Sequence, residues 1–170
     1  TLDRSSAASD VYKRQIDTYK SRESAFREII YNAKDAGATK IVVSIYNDNF
    51  GHTPGGGYIT ISDNGCGMSS EVVRDSFIGF FGSTKSENEL AIGEYGIGAK
   101  SILAFYNRMN VTTVSNGKMT SFSMYRSDKD IMAAIYEESV PTDQSNGTSI
   151  TIPYDDNMNG GALYPLFERF

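Results

Sequence analysis

Gly93-Glu94-Tyr95-Gly96-Ile97-Gly98-Ala99-Lys100-Ser101 decides how the rest of this chain is read. Its three glycines lead straight into a helical pattern, Ala99 to Tyr106. Glycine lets backbone N–H groups approach a ligand with no side chain in the way. A helix N-terminus behind such a loop adds unpaired donors and a partial positive charge, which suits a phosphate. Alone the stretch is a weak signal. Two others raise it: Glu28-Ile29-Ile30-Tyr31-Asn32-Ala33-Lys34-Asp35, and Asp63-Asn64-Gly65-Cys66-Gly67.

The first of these lies in a predicted helix, residues 21–36. Glu28, Asn32 and Asp35 fall at i, i+4 and i+7, on one face. Phe26, Ile29, Ile30 and Ala33 form the opposite face, expected to pack on a sheet, and Gly37 is the expected stop. Lys40 to Tyr46 is rich in β-branched residues and reads as a strand. A loop from Asn47 to Gly57 carries Pro54 and the one histidine, His52, which in a glycine-rich loop reads as solvated rather than catalytic.

Tyr58 to Ser62 alternates as a short strand and delivers Asp63 at its end. Ser69 or Ser70 caps a short helix reaching about Phe77. Residues 79–97 are rich in glycine, serine and charge, and read as a long mobile functional loop. Beyond it Ile102, Leu103 and Tyr106 should turn inward. Val111 to Ser115 and Lys118 to Tyr125 flank Asn116-Gly117, a hairpin signal. Ile131 to Glu138 reads as a strand, with its two alanines leaving a helix open, and Thr148 to Ile152 as a strand ended by Pro153.

Together the three stretches read as one ATP–magnesium site. An ionised Asp63 accepts from the adenine amine, and Gly65 and Gly67 leave room for the flat ring. Asn32 offers a neutral oxygen to Mg²⁺, which takes few protein ligands. Glu28, one turn earlier, holds and deprotonates a water aimed at the γ-phosphate. Gly93, Gly96 and Gly98 supply backbone donors. Lys85 and Lys100 are the mobile cations expected near phosphate charge. Each stretch alone would also fit a blander reading: a solvated helix face, a turn, a flexible loop. Their joint occurrence, in this order, favours the site. Two other phosphate motifs fail. A P-loop needs glycine directly before Lys-Ser, where this chain has Ala99, and a dinucleotide fingerprint needs G-x-G-x-x-G after a strand.

The 170 residues suit one domain, 39% hydrophobic and 22% charged. A net charge of −5 argues against a broad nucleic-acid footprint. One cysteine cannot form an internal disulfide, so a cytoplasmic location is expected. No apolar run approaches a membrane span, and no secretory signal pattern is present. Residues 1–15 resemble a translated sequencing adaptor and are expected to be a non-native tail. The expected ATP-binding domain covers 16–154, and 155–170 reads as the start of a truncated C-terminal continuation.

The chain resembles the GHKL ATPases, the superfamily of gyrase, ninety-kilodalton heat-shock chaperones, histidine kinases and MutL. Glu28-x-x-x-Asn32-x-x-Asp35 is similar to its N box, Asp63-x-Gly65-x-Gly67-Met68 to its adenine box, Gly93-x-x-Gly96-x-Gly98 to its lid box, and Gly147-Thr148 to its last short box. The resemblance implies a two-layer α/β sandwich, with a mixed, mostly antiparallel sheet and helices on one face. It implies that the Thr148 hydroxyl helps Asp63 and a water hold adenine. It also carries Asp35, Met68, Tyr95 and Ile97 into the nucleotide site beside Asn32, Asp63, Gly65, Gly67, Lys85, Gly93, Gly96, Gly98 and Lys100. The lid sequence from Phe81 to Ser101 is most similar to those of MORC, heat-shock-type and phage rapid-lysis ATPases.

The function so implied is Mg-ATP binding and hydrolysis that closes a lid and drives homodimerisation of a longer, chaperone-like protein. Nucleic acid is not indicated by this domain, although missing domains leave it open. With no transducer domain before Phe170, independent turnover is not expected. Two alternatives stand: a histidine-kinase catalytic domain, and a non-hydrolysing nucleotide-gated module. Glu28 favours hydrolysis over both.

Overall fold

A computed structural model describes residues 21–47, 57–75, 100–126 and 131–154. Helix α1, Arg22–Asp35, begins where the Ser21 side chain accepts from the Ser24 N–H at 3.2 Å. Its apolar spacing buries Ala25, Phe26, Ile29, Ile30 and Ala33. It stops in a Schellman arrangement: Gly37 adopts φ +74°, and the N–H groups of Gly37 and Ala38 bond the carbonyls of Lys34 and Ala33.

Among the described residues six strands follow: β1 (Ile41–Asn47), β2 (Gly57–Asp63), β3 (Arg108–Ser115), β4 (Lys118–Arg126), β5 (Ile131–Pro141) and β6 (Gly147–Tyr154). Between β2 and β3 come a short helix α2, Ser70–Val73, capped by Ser69, and a 3-10 turn at Ser101–Ala104. The sheet order is β1-β2-β6-β3-β4-β5. The last strand therefore inserts between β2 and β3, which puts residues far apart in sequence side by side. Among the described residues every pairing is antiparallel, in keeping with the expected mostly antiparallel sheet.

Period-two alternation decides the faces. Ile59 and Ile61 of β2 stand opposite Ile152 and Ile150 of β6, and Val111 of β3 stands opposite Ile150 and Phe122. These residues form one core with Phe26 and Ile29 of α1 and with Ile102, Leu103 and Tyr106. Phe26 meets the Tyr106 ring edge-to-face at 5.9 Å. The opposite face is lined by hydroxyls, with Ser62 bonded to Ser149 at 2.8 Å and Thr60 to Thr151 at 3.1 Å. Helix α2 is tied to β5 by the Arg74–Glu138 ion pair and by Ser139 donating to Ser70 at 2.8 Å.

Two local expectations change, and the strand expected from Ile131 is present. Pro153 does not end its strand: it pairs with Tyr58, and β6 runs on to Tyr154. The pairing of β6 with β3 stops at Thr151, so Pro153 is not asked to donate on that side. Among the described residues Lys100 is α-helical and a 3-10 turn, Ser101–Ala104, follows in place of a continuing helix, with Ile102, Leu103 and Tyr106 buried as expected. Ile131–Pro141 is a strand, with a register shift between Met119 and Phe122 of its partner. Asn116 and Gly117, at φ +53° and +69°, make the β3–β4 turn.

Candidate adenine site

Strand β2 ends at Asp63, which pairs with Thr148 of β6; Thr148 in turn pairs with Thr113 of β3. Asp63, Thr148 and Thr113 thus occupy one row across three strands. Parity places the row on the core face, one pair beyond Ile61, Ile150 and Val111. At this end of the sheet, aliphatic side chains give way to a carboxylate and two hydroxyls.

The Asp63 carboxylate is held by its own loop. Its Oδ1 accepts from the Gly65 N–H at 2.8 Å, the bond of an Asx-turn. Burial raises the Asp63 pKa above the usual value, opposed by backbone N–H bonds from Gly65 and Thr148. Those two donors favour the charged form, which can only accept. Thr113 is fully buried. Its Oγ1 accepts from the Met68 N–H at 2.8 Å and lies 3.1 Å from Thr148 Oγ1.

The loop after Asp63 is also locked to α1. Asn64 Oδ1 accepts from the N–H groups of Thr39 and Lys40 at 2.9 and 2.8 Å, and its Nδ2 donates to Thr39 Oγ1 at 2.9 Å. Cys66 N–H donates to the Ala36 carbonyl at 2.9 Å. A Cβ on Gly65 would meet Ala36 O at 2.8 Å, and one on Gly67, at φ +67°, would fall 1.9 Å from Val114 O. Gly65 and Gly67 are thus small for the protein's own backbone: one admits the end of α1, the other admits β3.

Glu28 and Asn32 are part-buried on α1, one turn apart, while Asp35 is exposed. The Asn32 carbonyl accepts from Ala36 N–H, and the Ala36 carbonyl accepts from Cys66 N–H, so one backbone chain of bonds joins Asn32 to the loop after Asp63. Lys100 departs from expectation. It is fully buried rather than mobile, and burial lowers its pKa from 10.5 to about 7. Lys85, Gly93, Tyr95, Gly96, Ile97 and Gly98, together with the loop expected over 79–97, lie outside the described residues, as do His52 and both expected tails.

Thr113, Asn64 and Ala36 carry much of this geometry and were not singled out from the sequence. Thr113 reads there only as a β-branched strand residue, and its place beside Thr148 depends on β6 inserting between β2 and β3.

Residues 19–157 match the family described as histidine kinase-, DNA gyrase B-, and HSP90-like ATPase. The chain belongs to this ATPase family. Membership makes it an ATP-binding domain, and the family's general activity is ATP hydrolysis. The chain is also 40% identical over 80 residues to the MORC family CW-type zinc finger protein 1 of Homo sapiens, covering 45% of this chain and 8% of that protein. Identity to the Mus musculus protein of the same name is 38% over 80 residues, with the same coverage. The ATPase-domain chain thus spans only a small part of the length of these curated relatives. No helix among the described residues is long and apolar enough to cross a membrane.

Proposed function

We propose that this ATPase domain seats adenine against Asp63, takes Mg²⁺ on the Asn32 side-chain oxygen, and hydrolyses ATP with Glu28 as general base. The observation that carries the reading is the continuity of the site. The carboxylate row at the end of β2 is bonded through Cys66 and Ala36 to the helix bearing Asn32 and Glu28. One hydrogen-bonded unit therefore offers a base-reading acceptor and, one and two helical turns before the junction, a neutral oxygen and a carboxylate.

The donor set fits magnesium brought in by the triphosphate. Mg²⁺ keeps several waters and takes one or two protein ligands beside phosphate oxygens. Among the described residues no three His, Cys, Asp or Glu side chains cluster as a resident metal site. When bound, the ion neutralises phosphate charge. Asn32 would hold it, and Glu28 would orient a water and accept its proton. Nucleotide binding would close residues 79–97 over the phosphates and promote dimerisation of the protein that contains this domain, in the cytoplasm.

Glu28→Ala tests the chemistry apart from binding. In a turnover-competent protein carrying this domain, it should lower kcat by about 10²–10⁴-fold, while ATP affinity stays within a few-fold. An unchanged rate would remove Glu28 as the base. A proportional loss of affinity would make it a binding residue. Phosphate recovered on a partner histidine, rather than free, would favour the kinase alternative.

A further inference from the structure

The sheet face turned away from the core carries hydroxyls along much of its length, but the end farthest from Asp63 differs. There Tyr58 of β2 pairs with Pro153 of β6, Arg108 of β3 pairs with Tyr125 of β4, and Tyr125 pairs with Met132 of β5. Asn110 pairs with Thr151, so the register sets Arg108, two residues earlier, level with Pro153. By strand parity all of these side chains stand on the face opposite the core. One row thus crosses β2, β6, β3, β4 and β5 and replaces hydroxyls with rings and apolar groups.

The row is open to solvent. Tyr58 is 42% exposed, Met132 47%, and Tyr136, whose hydroxyl reaches Arg108, 59%. The described helices bury their apolar residues on the other side of the sheet. Exposed apolar surface grouped in this way, with polar groups around it, is the pattern of a docking surface. Arg108 sits in its middle. Its guanidinium donates to Asn110 Oδ1 at 3.0 Å, and to Ser123 Oγ and the Tyr136 hydroxyl, each at 3.5 Å. All three acceptors are neutral. The occupant that fits is therefore apolar, with an acidic group at its edge.

The chain itself carries such a segment, and carries it away from this row. Pro153 lies in the row and β6 ends at Tyr154. Asp155 and Asp156 come next, then a polar stretch to Gly160-Gly161, then the apolar run Leu163-Tyr164-Pro165-Leu166-Phe167. Two carboxylates thus follow β6 directly, and Arg108 belongs to the neighbouring strand, about 4.8 Å away. Residues 155–161 can extend over about 23 Å. Three strand spacings, about 14 Å, separate β6 from β5. The run reaches Met132 and Tyr136 with length to spare, and Gly160-Gly161 permits the turn back onto the sheet. The family match ends at residue 157, before the run begins.

We infer that residues 162–167 dock on the outer face of the sheet, their apolar side chains on Tyr125, Met132 and Tyr136, with the carboxylates of Asp155 and Asp156 beside Arg108. Asp63 and Thr148 lie at the other end of the sheet, so this docking is separate from nucleotide binding.

Hydrogen exchange read by mass spectrometry on the whole chain, without nucleotide, tests this in the parent, Met132→Ser/Tyr136→Ser and Arg108→Gln. In the parent, amides of residues 162–167 should exchange at least about ten-fold more slowly than in a free peptide of the same sequence. The double substitution should return them to the free-peptide rate, while amides of α1 and β2 keep parental rates. Arg108→Gln should remove part of the protection, and unchanged protection there would overturn the pairing with Asp155 and Asp156. Free-peptide exchange in the parent overturns the docking. So does protection that survives the double substitution, and so does protection that grows with protein concentration, which would assign the row to a second copy of the chain. Should the double substitution not fold, Leu166→Ser/Phe167→Ser takes its place. Nitration of Tyr136 by tetranitromethane should then be faster than in the parent by the same factor, and an unchanged rate would overturn the docking.

Discussion

The carbonyl of Ala36, just past the end of α1, accepts a 2.9 Å hydrogen bond from the N–H of Cys66, in the loop that follows Asp63. This bond joins the helix bearing Glu28 and Asn32 to the loop expected to hold adenine. Asn64 reinforces it with three side-chain bonds to Thr39 and Lys40. The spacing between the Asp63 loop and the helix bearing Asn32 and Glu28 is thereby built into the backbone.

A methyl group in that junction should be costly. At Gly65 an added Cβ meets Ala36 O and Cβ at 2.8 and 2.9 Å, so the end of α1 must move. Gly65→Ala should destabilise the fold by about 1–3 kcal/mol, as overpacking does. Gly67→Ala should cost more, because its Cβ falls 1.9 Å from Val114 O at a left-handed φ. Urea unfolding of the three proteins measures both. A Gly67→Ala variant as stable as the parent would mean the loop does not sit against β3.

Asp63 should make the nucleotide-free fold less stable as it ionises. Burial raises its folded-state pKa above the unfolded value. In the window between those two values the folded protein binds the extra proton, so stability falls as pH rises through it. Asp63→Asn keeps an oxygen for the Gly65 N–H and removes the titration. Its stability relative to the parent should therefore grow as pH rises across the carboxylate range, then level off. Parallel pH–stability curves would show that Asp63 ionises in the fold as it does in water.

Lys100 has the opposite sign. Its folded pKa is lowered from 10.5 to about 7. Between those values the unfolded chain holds a proton that the folded chain does not, so raising the pH stabilises the fold. Relative to Lys100→Met, the parent should gain stability from about pH 7 to about pH 10.5, by at most about 1.4 kcal/mol per pH unit. Thermal melts of both proteins across that range decide it. Equal slopes would mean that Lys100 stays charged in its buried position.

Much of this was legible in the chain. The 3.6-residue spacing of Phe26, Ile29, Ile30 and Ala33 gave α1, the alternation of Ile59 and Ile61 gave β2, and Asn116-Gly117 gave the hairpin. Local pattern carries that information. Strand order does not reside in local pattern. β6 reaches its place between β2 and β3 only through long-range pairing, and that insertion brings Thr113 to Thr148, while the early end of the β3 pairing at Thr151 spares Pro153 a donor's duty on that side. Gly65 and Gly67 were legible as small residues, but the backbones they admit, Ala36 and Val114, were not. Lys100 read as a mobile cation for phosphate charge, whereas packing encloses its side chain completely.

The central claim is that Asp63 and Asn32 bind opposite ends of one Mg-ATP. Titrating a non-hydrolysable ATP analogue into the parent, Asp63→Asn and Asn32→Ala, each with and without Mg²⁺, tests it most directly. Asp63→Asn should weaken binding roughly 10- to 150-fold whether or not Mg²⁺ is present, because it removes a charged hydrogen bond worth about 1.5–3 kcal/mol. Asn32→Ala should match the parent without Mg²⁺ and lose the tightening that the ion confers. Parental affinity in Asp63→Asn, or a full Mg²⁺ effect in Asn32→Ala with both folds intact, would contradict the account.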